Sequence, residues 1–245
     1  MWKWCCLLLL LPSYLLLAEP LRAVVSQTNT APYAIFDQQQ RLAGGIAKEL
    51  LDALAARLDR QVQYLDLPRG RVIEWLVTDK ADISCFLSPE WVPASYKLSW
   101  TPVLFYTRQY IVRRAEDSPL RSNKDLVHKR IGTTRGFSYP ELQPLFTNNA
   151  AVRDDAESIE KNIQRLEQGR VDLVMTVDLS YGQYQKHNDT SKLAADPLWA
   201  EPAAVYCALN STNQALVQQI QQQFEVMQQQ GLIKKAVQRY EHSSL

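Results

Sequence analysis

Two arginines that flank a glycine, Arg69-Gly70-Arg71, have a residue type and spacing that suggest anion chemistry. A guanidinium presents a planar fork of N–H donors that can meet a carboxylate through two parallel hydrogen bonds. Both arginines fall at the entry of an expected helix, where the positive end of the helix dipole disfavours them. That mild conflict fits a site awaiting an anion, and solvated arginines at a helix start are the plainer alternative. A second candidate run is Thr133, Thr134, Arg135, Gly136, Phe137 and Ser138, which leads from a strand end toward an expected helix. Free backbone amides and hydroxyls in such a run can hold an anionic group. Phe86, Ser88 and Trp91 lie at and just beyond the end of another expected strand.

Other chemistries lack their residues. His128, His187 and His242 have no paired spacing with cysteines or carboxylates, so no metal site is expected. The chain has no phosphate-cradling glycine loop, no Gly-x-Ser-x-Gly and no plausible Cys-His pair, and neither a catalytic residue nor a cofactor is expected. Lys plus Arg number 27 against 26 for Asp plus Glu, which leaves no broad attraction to nucleic acid or anionic lipid.

The elements that must position these residues follow from hydrophobic periodicity. The chain opens with Lys3, an apolar run from Leu7 to Leu17 and a small residue at Ala18, the pattern of a secretory signal peptide cut after Ala18. The run is shorter than the ~20 residues that span a bilayer, which argues against a retained anchor. Cys5 and Cys6 precede the run, the wrong side for lipid attachment, and Cys85 and Cys207 remain in an oxidising compartment.

Leu21 to Ser26, Val62 to Leu67 and Ala81 to Leu87 read as strands. Between them lie a helix carrying Ile46, Leu50, Leu54 and Leu58 and a second from Arg71 to Thr78, giving β-α-β-α-β. A similar unit resumes with strands at Arg130 to Thr134, Ala150 to Arg153 and Val171 to Val177, with a helix carrying Ile159, Ile163 and Leu166. Extended passages lie at Gln109 to Arg113 and from Pro202 to Leu209, before two C-terminal helices separated at Gly231. The fold class is therefore α/β, in two units.

Ordered blocks along the chain resemble the family 3 bacterial extracellular solute-binding proteins, which include polar amino-acid receptors of ABC importers. They include Ala31-Pro32-Tyr33, Gly44-Gly45-Ile46, Lys80-Ala81-Asp82-Ile83, Leu98-Ser99-Trp100-Thr101-Pro102, Arg130-Ile131-Gly132-Thr133, Gly169-Arg170-Val171-Asp172 and Gln230-Gly231-Leu232-Ile233. The resemblance implies a periplasmic binding protein-like fold of type II, two α/β lobes joined by two crossing strands. Residues 19–107 with 202–245 would form lobe 1 and residues 108–201 lobe 2. It also implies ligand contacts at Tyr33 and Asp178, with Tyr181 one turn onward; Asp178 as a helix N-cap is the competing reading.

The family's amino-acid receptors carry an arginine just after a Thr-Pro-Glu stretch, and this chain has Ser88-Pro89-Glu90-Trp91, which puts an amino-acid ligand in doubt unless Arg69 or Arg71 takes over. The implied strand order makes Cys85 and Cys207 neighbours, so a disulfide is expected, two buried free thiols being the alternative. The expected role is a monomeric periplasmic binding protein that captures a small polar ligand by hinge closure for an inner-membrane permease complex. A sensor module with a membrane partner, or a cyclohexadienyl or arogenate dehydratase using Asp178 or Glu141, is the alternative on the same scaffold.

Overall fold

A computed structural model describes residues 19–241. The expected signal peptide, residues 1–18, and His242 lie outside the described residues. Among the described residues no helix is long and apolar enough to cross a membrane.

The chain opens with β1 (Leu21–Val25), a short hairpin of β2 (Ile35–Phe36) and β3 (Leu42–Gly44), and α1 (Ile46–Arg57). Gly45 starts α1 at φ 92°, where a Cβ would stand 2.9 Å from the carbonyl oxygens of Pro32 and Tyr33, so only glycine fits. Next come β4 (Val62–Asp66), α2 (Val72–Val77), β5 (Ile83–Leu87), β6 (Leu98–Trp100) and β7 (Phe105–Thr107). After one intervening residue, β8 (Gln109–Arg114) begins a new region containing β9 (Arg130–Thr134), α3 (Gln143–Thr147), β10 (Val152–Ala156), α4 (Ile159–Glu167), β11 (Leu173–Val177), α5 (Asp178–His187) and β12 (Leu193–Pro197). Finally β13 (Ala203–Asn210) leads into α6 (Gln214–Gln229) and α7 (Leu232–Gln238).

These strands form two main sheets. The first has the order β4-β1-β5-β13-β6, with β7 also on β13; β1 runs parallel to β4 and β5, and β13 antiparallel to its partners. The second has the order β10-β9-β11-β8-β12, with β9 parallel to β10 and β11 and β8 antiparallel to its neighbours. The chain thus passes from one sheet to the other after β7 and returns before β13. Each sheet is covered on both faces: the first by a large core that includes α1, α6 and α7 and a smaller one with α2, the second by two further cores. Helix α6 buries Leu216, Val217, Ile220, Phe224 and Met227, a spacing of three and four, and the Asn213 side chain caps its start.

Two expected elements shift. The strand anticipated at Ala150 to Arg153 runs from Val152 to Ala156, because this edge strand is held by charge as well as apolar burial: Asp154 pairs with Arg130 and Arg165, and Asp155 with Arg153. No helix follows Ser138 directly; the chain turns at Gly136, at φ 77°, and α3 starts only at Gln143. The expectation of a helix N-terminus at Thr133 to Ser138 is therefore corrected.

Candidate ligand-binding cleft

The carboxyl ends of β1, β4, β5, β9 and β11 converge on one cavity of about 270 Å³. Such crevices beyond parallel strand ends are where α/β sheets bind ligands. The first sheet's side contributes Asn29, Tyr33, Arg69, Phe86 and Trp91, the second's Thr134, Gly136, Phe137, Tyr139, Thr176 and Ser180. Thr107 and Gln109, on either side of the first passage between sheets, also line it.

Arg69 is 8% exposed. Its Nη1 donates to Asn29 Oδ1 at 3.2 Å and its Nη2 to the Phe86 carbonyl at 3.1 Å. Its guanidinium lies 4.7 Å from the centre of the Phe137 ring on the opposite wall. No carboxylate among the described residues pairs with it, and burial pulls its pKa down to about 10, with the Tyr139 phenol acting in the other direction. Gly136 meets the same side chain, since a Cβ there would sit 3.0 Å from Arg69 Cβ.

Phe86 reaches the cavity through a break in strand alternation. Its φ is 64°, rare for a bulky residue, and the β5–β13 register slips between Tyr206 and Cys207. The bulge turns Cys85 and Phe86 toward the same core while Leu87 faces the other. Such a backbone costs on the order of 1–3 kcal/mol and persists only where its surroundings enforce it. Here the Phe86 ring packs edge-on against Tyr33 with centres 4.9 Å apart, and its carbonyl holds Arg69. Cys85 and Cys207 are joined by a disulfide beside the bulge, with Cα atoms 3.8 Å apart, closer than the common range of about 4.4 to 6.8 Å.

At the passage between sheets, the Tyr33 hydroxyl lies 3.4 Å from Thr107 Oγ1, which donates to Asp178 Oδ1 at 2.7 Å. Burial pushes the Tyr33 phenol pKa well up and the nearby Asp178 carboxylate adds to the rise. Asp178 Oδ1 also accepts from the Leu179 amide at 2.8 Å and Oδ2 from the Arg108 amide at 2.9 Å. Its carboxylate thereby ties the passage to the first turn of α5.

Of the residues singled out from sequence, the cavity gathers Tyr33, Arg69, Gly70, Phe86, Trp91, Thr134, Gly136, Phe137 and Ser138. The other six do not line it. Arg71 points to solvent and pairs with Glu74 at 2.9 Å. Ser88 is buried away from the cavity, and Thr133, on the strand face opposite Thr134, donates to Asp155 at 2.6 Å. Arg135 is exposed with Glu157 3.9 Å away, because the turn at Gly136 directs it outward. Asp178 is occupied as described, at the first helical position with Val177 at the cap, so the N-cap alternative is corrected by one residue. Tyr181 is fully buried in the core between α5 and the second sheet, beside Tyr184; Ser180 takes the cavity-facing position. Asn29, Thr107, Gln109, Tyr139 and Thr176 were missed. Thr107 and Gln109 had a signal, since they flank the expected lobe boundary between residues 107 and 108, and Gln109 opens an expected extended passage.

Comparisons with known proteins bear on the fold and the family. The family model for bacterial extracellular solute-binding proteins, family 3, matches residues 22–243. The L-cystine-binding protein TcyA of Bacillus subtilis (strain 168) is 19% identical over 204 residues, which cover 83% of this chain and 75% of that relative. An ancestral arginine-binding protein bound to arginine superposes with a TM-score of 0.76 at 21% identity, covering 91% of this chain and 98% of the other. The ancestral amino acid-binding protein AncCDT-1, a precursor of cyclohexadienyl dehydratase, gives a TM-score of 0.73 at 18% identity, covering 90% and 95%. The fold is that of the type II periplasmic binding proteins, two α/β lobes joined by two crossing strands. With the model spanning all but the ends of the sequence, the chain belongs to the bacterial extracellular solute-binding proteins, family 3.

Proposed function

We propose that the protein captures a small carboxylate-bearing solute, an amino acid or a related acid, between its two lobes and hands it to an ABC-type permease of the inner membrane. The observation that carries this reading is the buried Arg69, which faces the cavity with no acidic partner among the described residues. A buried cation is costly unless something pairs with it, and a ligand carboxylate would supply the missing charge. Lobe 1 comprises residues 19–107 and 202–245, and lobe 2 residues 108–201. The hinge lies at the two passages between sheets. Closure is driven by contacts that a ligand makes to both walls at once, and Arg69 and Phe137 face each other across the cavity.

The protein acts as a monomer in the periplasm after removal of residues 1–18. The enzymatic alternative would call on Asp178 or Glu141, and neither is among the residues that line the cavity. A sensor role would use the same cleft and differ in its membrane partner.

A thermal-shift screen of amino acids, small carboxylates and polyamines tests the reading. At a hundred times its Kd, a true ligand raises stability by about 2.7 kcal/mol, or roughly 5 to 10 °C for a chain of this size. Carboxylate-bearing compounds should give that shift and lose it in Arg69→Gln. Shifts by polyamines alone would overturn the assignment.

A further inference from the structure

We propose that the cleft selects a monocarboxylate with an apolar or aromatic body and no ammonium group, rather than a zwitterionic amino acid. This rests on reading the cleft as a carboxylate site. Arg69 is the one formally charged residue among the described residues that line the cavity. A monoanion balances that charge, with its carboxylate on the guanidinium. An amino acid would bring a second charge, and its ammonium would lose water without gaining an anion, the arrangement in which desolvation outweighs attraction.

The acid best placed to receive an ammonium is Asp178, and it is already engaged. Its two oxygens accept from the Thr107 hydroxyl, the Leu179 amide and the Arg108 amide, and Thr107 rather than Asp178 faces the cavity. A ligand at that end meets neutral hydroxyls. The rest of the lining is uncharged: Tyr33, Phe86, Trp91, Tyr96, Phe137 and Tyr139 give it aromatic surface, beside hydroxyls and the Asn29 and Gln109 amides. Rings of this kind favour a flat or branched hydrocarbon body. The volume, about 270 Å³, is just under the ~300 to 1,000 Å³ of typical ligand pockets, which limits the guest to a small acid.

The test compares each amino acid with its deaminated counterpart by titration calorimetry on the purified protein: L-phenylalanine against 3-phenylpropanoate, L-leucine against 4-methylpentanoate, and L-arginine against 5-guanidinopentanoate. In every pair that binds, the deaminated acid should be at least tenfold tighter, with 3-phenylpropanoate or 4-methylpentanoate the best of the six, and phenethylamine should not bind. Tighter binding by an amino acid than by its counterpart overturns this inference and leaves the carboxylate reading intact. Binding by no member of any pair removes both. A second arm uses Asp178→Asn, which should leave the affinity ratio within each pair unchanged. If instead the amino-acid member alone loses affinity, the ammonium sits on Asp178 and the inference fails.

Discussion

The two walls of the cleft are built in opposite ways. On the first sheet, the wall carries the charge and is braced: Arg69 is held by Asn29 and the Phe86 carbonyl, Phe86 sits on a strained bulge, and a disulfide crosses the same two strands. On the second, the facing wall offers neutral groups and a turn at Gly136 that closes directly onto Arg69. Labour is thus divided: a preorganised wall supplies the binding charge, and an uncharged wall that carries Phe137 and Tyr139 supplies the fit.

The most severe way to break this asymmetry is Arg69→Gln. Truncating one member of a buried charge pair costs about 2 to 5 kcal/mol, so calorimetry with the best carboxylate should show a loss of at least 30-fold. An unchanged affinity would remove the charge from the first wall. Next in size is the disulfide, whose reduction or replacement by Cys85→Ser with Cys207→Ser should lower unfolding free energy by ~2 to 4 kcal/mol in urea titrations. If ligand affinity also falls once folding is restored at low temperature, the bridge braces Phe86 and not only the fold.

Gly136→Ala probes the opposite wall, and a tenfold loss of affinity, about 1.4 kcal/mol, is expected from the new Cβ at 3.0 Å from Arg69. Gly169→Ala is the matched control, since Gly169 has a similar φ of 69° and open space around it, so affinity should stay constant while stability drops by ~1 kcal/mol. The smallest effect belongs to Arg135→Ala. This exposed residue lies beside Glu157 and not in the cavity, so calorimetry should find a change within about 0.5 kcal/mol.

Periodicity made much of this architecture legible. The alternation of apolar runs with helical stripes marked the strands that begin at Leu21, Val62 and Arg130 and the helix that begins at Ile46. It failed where local pattern and tertiary demand diverge. Val152 to Ala156 is a strand rich in charge, stabilised by partners on β9 and α4 that no local window contains. Thr133 and Thr134 are chemically alike, and strand alternation alone sends one to Asp155 and the other to the cavity. Tyr181, expected beside the ligand, is buried in the core, and its neighbour Ser180 lines the cavity instead.

Composition, periodicity and motif spacing were enough to read two α/β units, the lack of a broad charge for nucleic acid, and an arginine near position 70 able to meet an anion. The folded arrangement selects between the two arginines, because Arg69 becomes buried through contacts with Asn29, Phe86, Gly136 and Phe137, all distant along the chain. It also decided that Asp178 serves the passage between sheets and that a bulge aims Phe86 at the cleft. Propensity and periodicity act over a few neighbouring residues, whereas burial, register and the pairing of charges are settled by segments that meet only after the chain has folded.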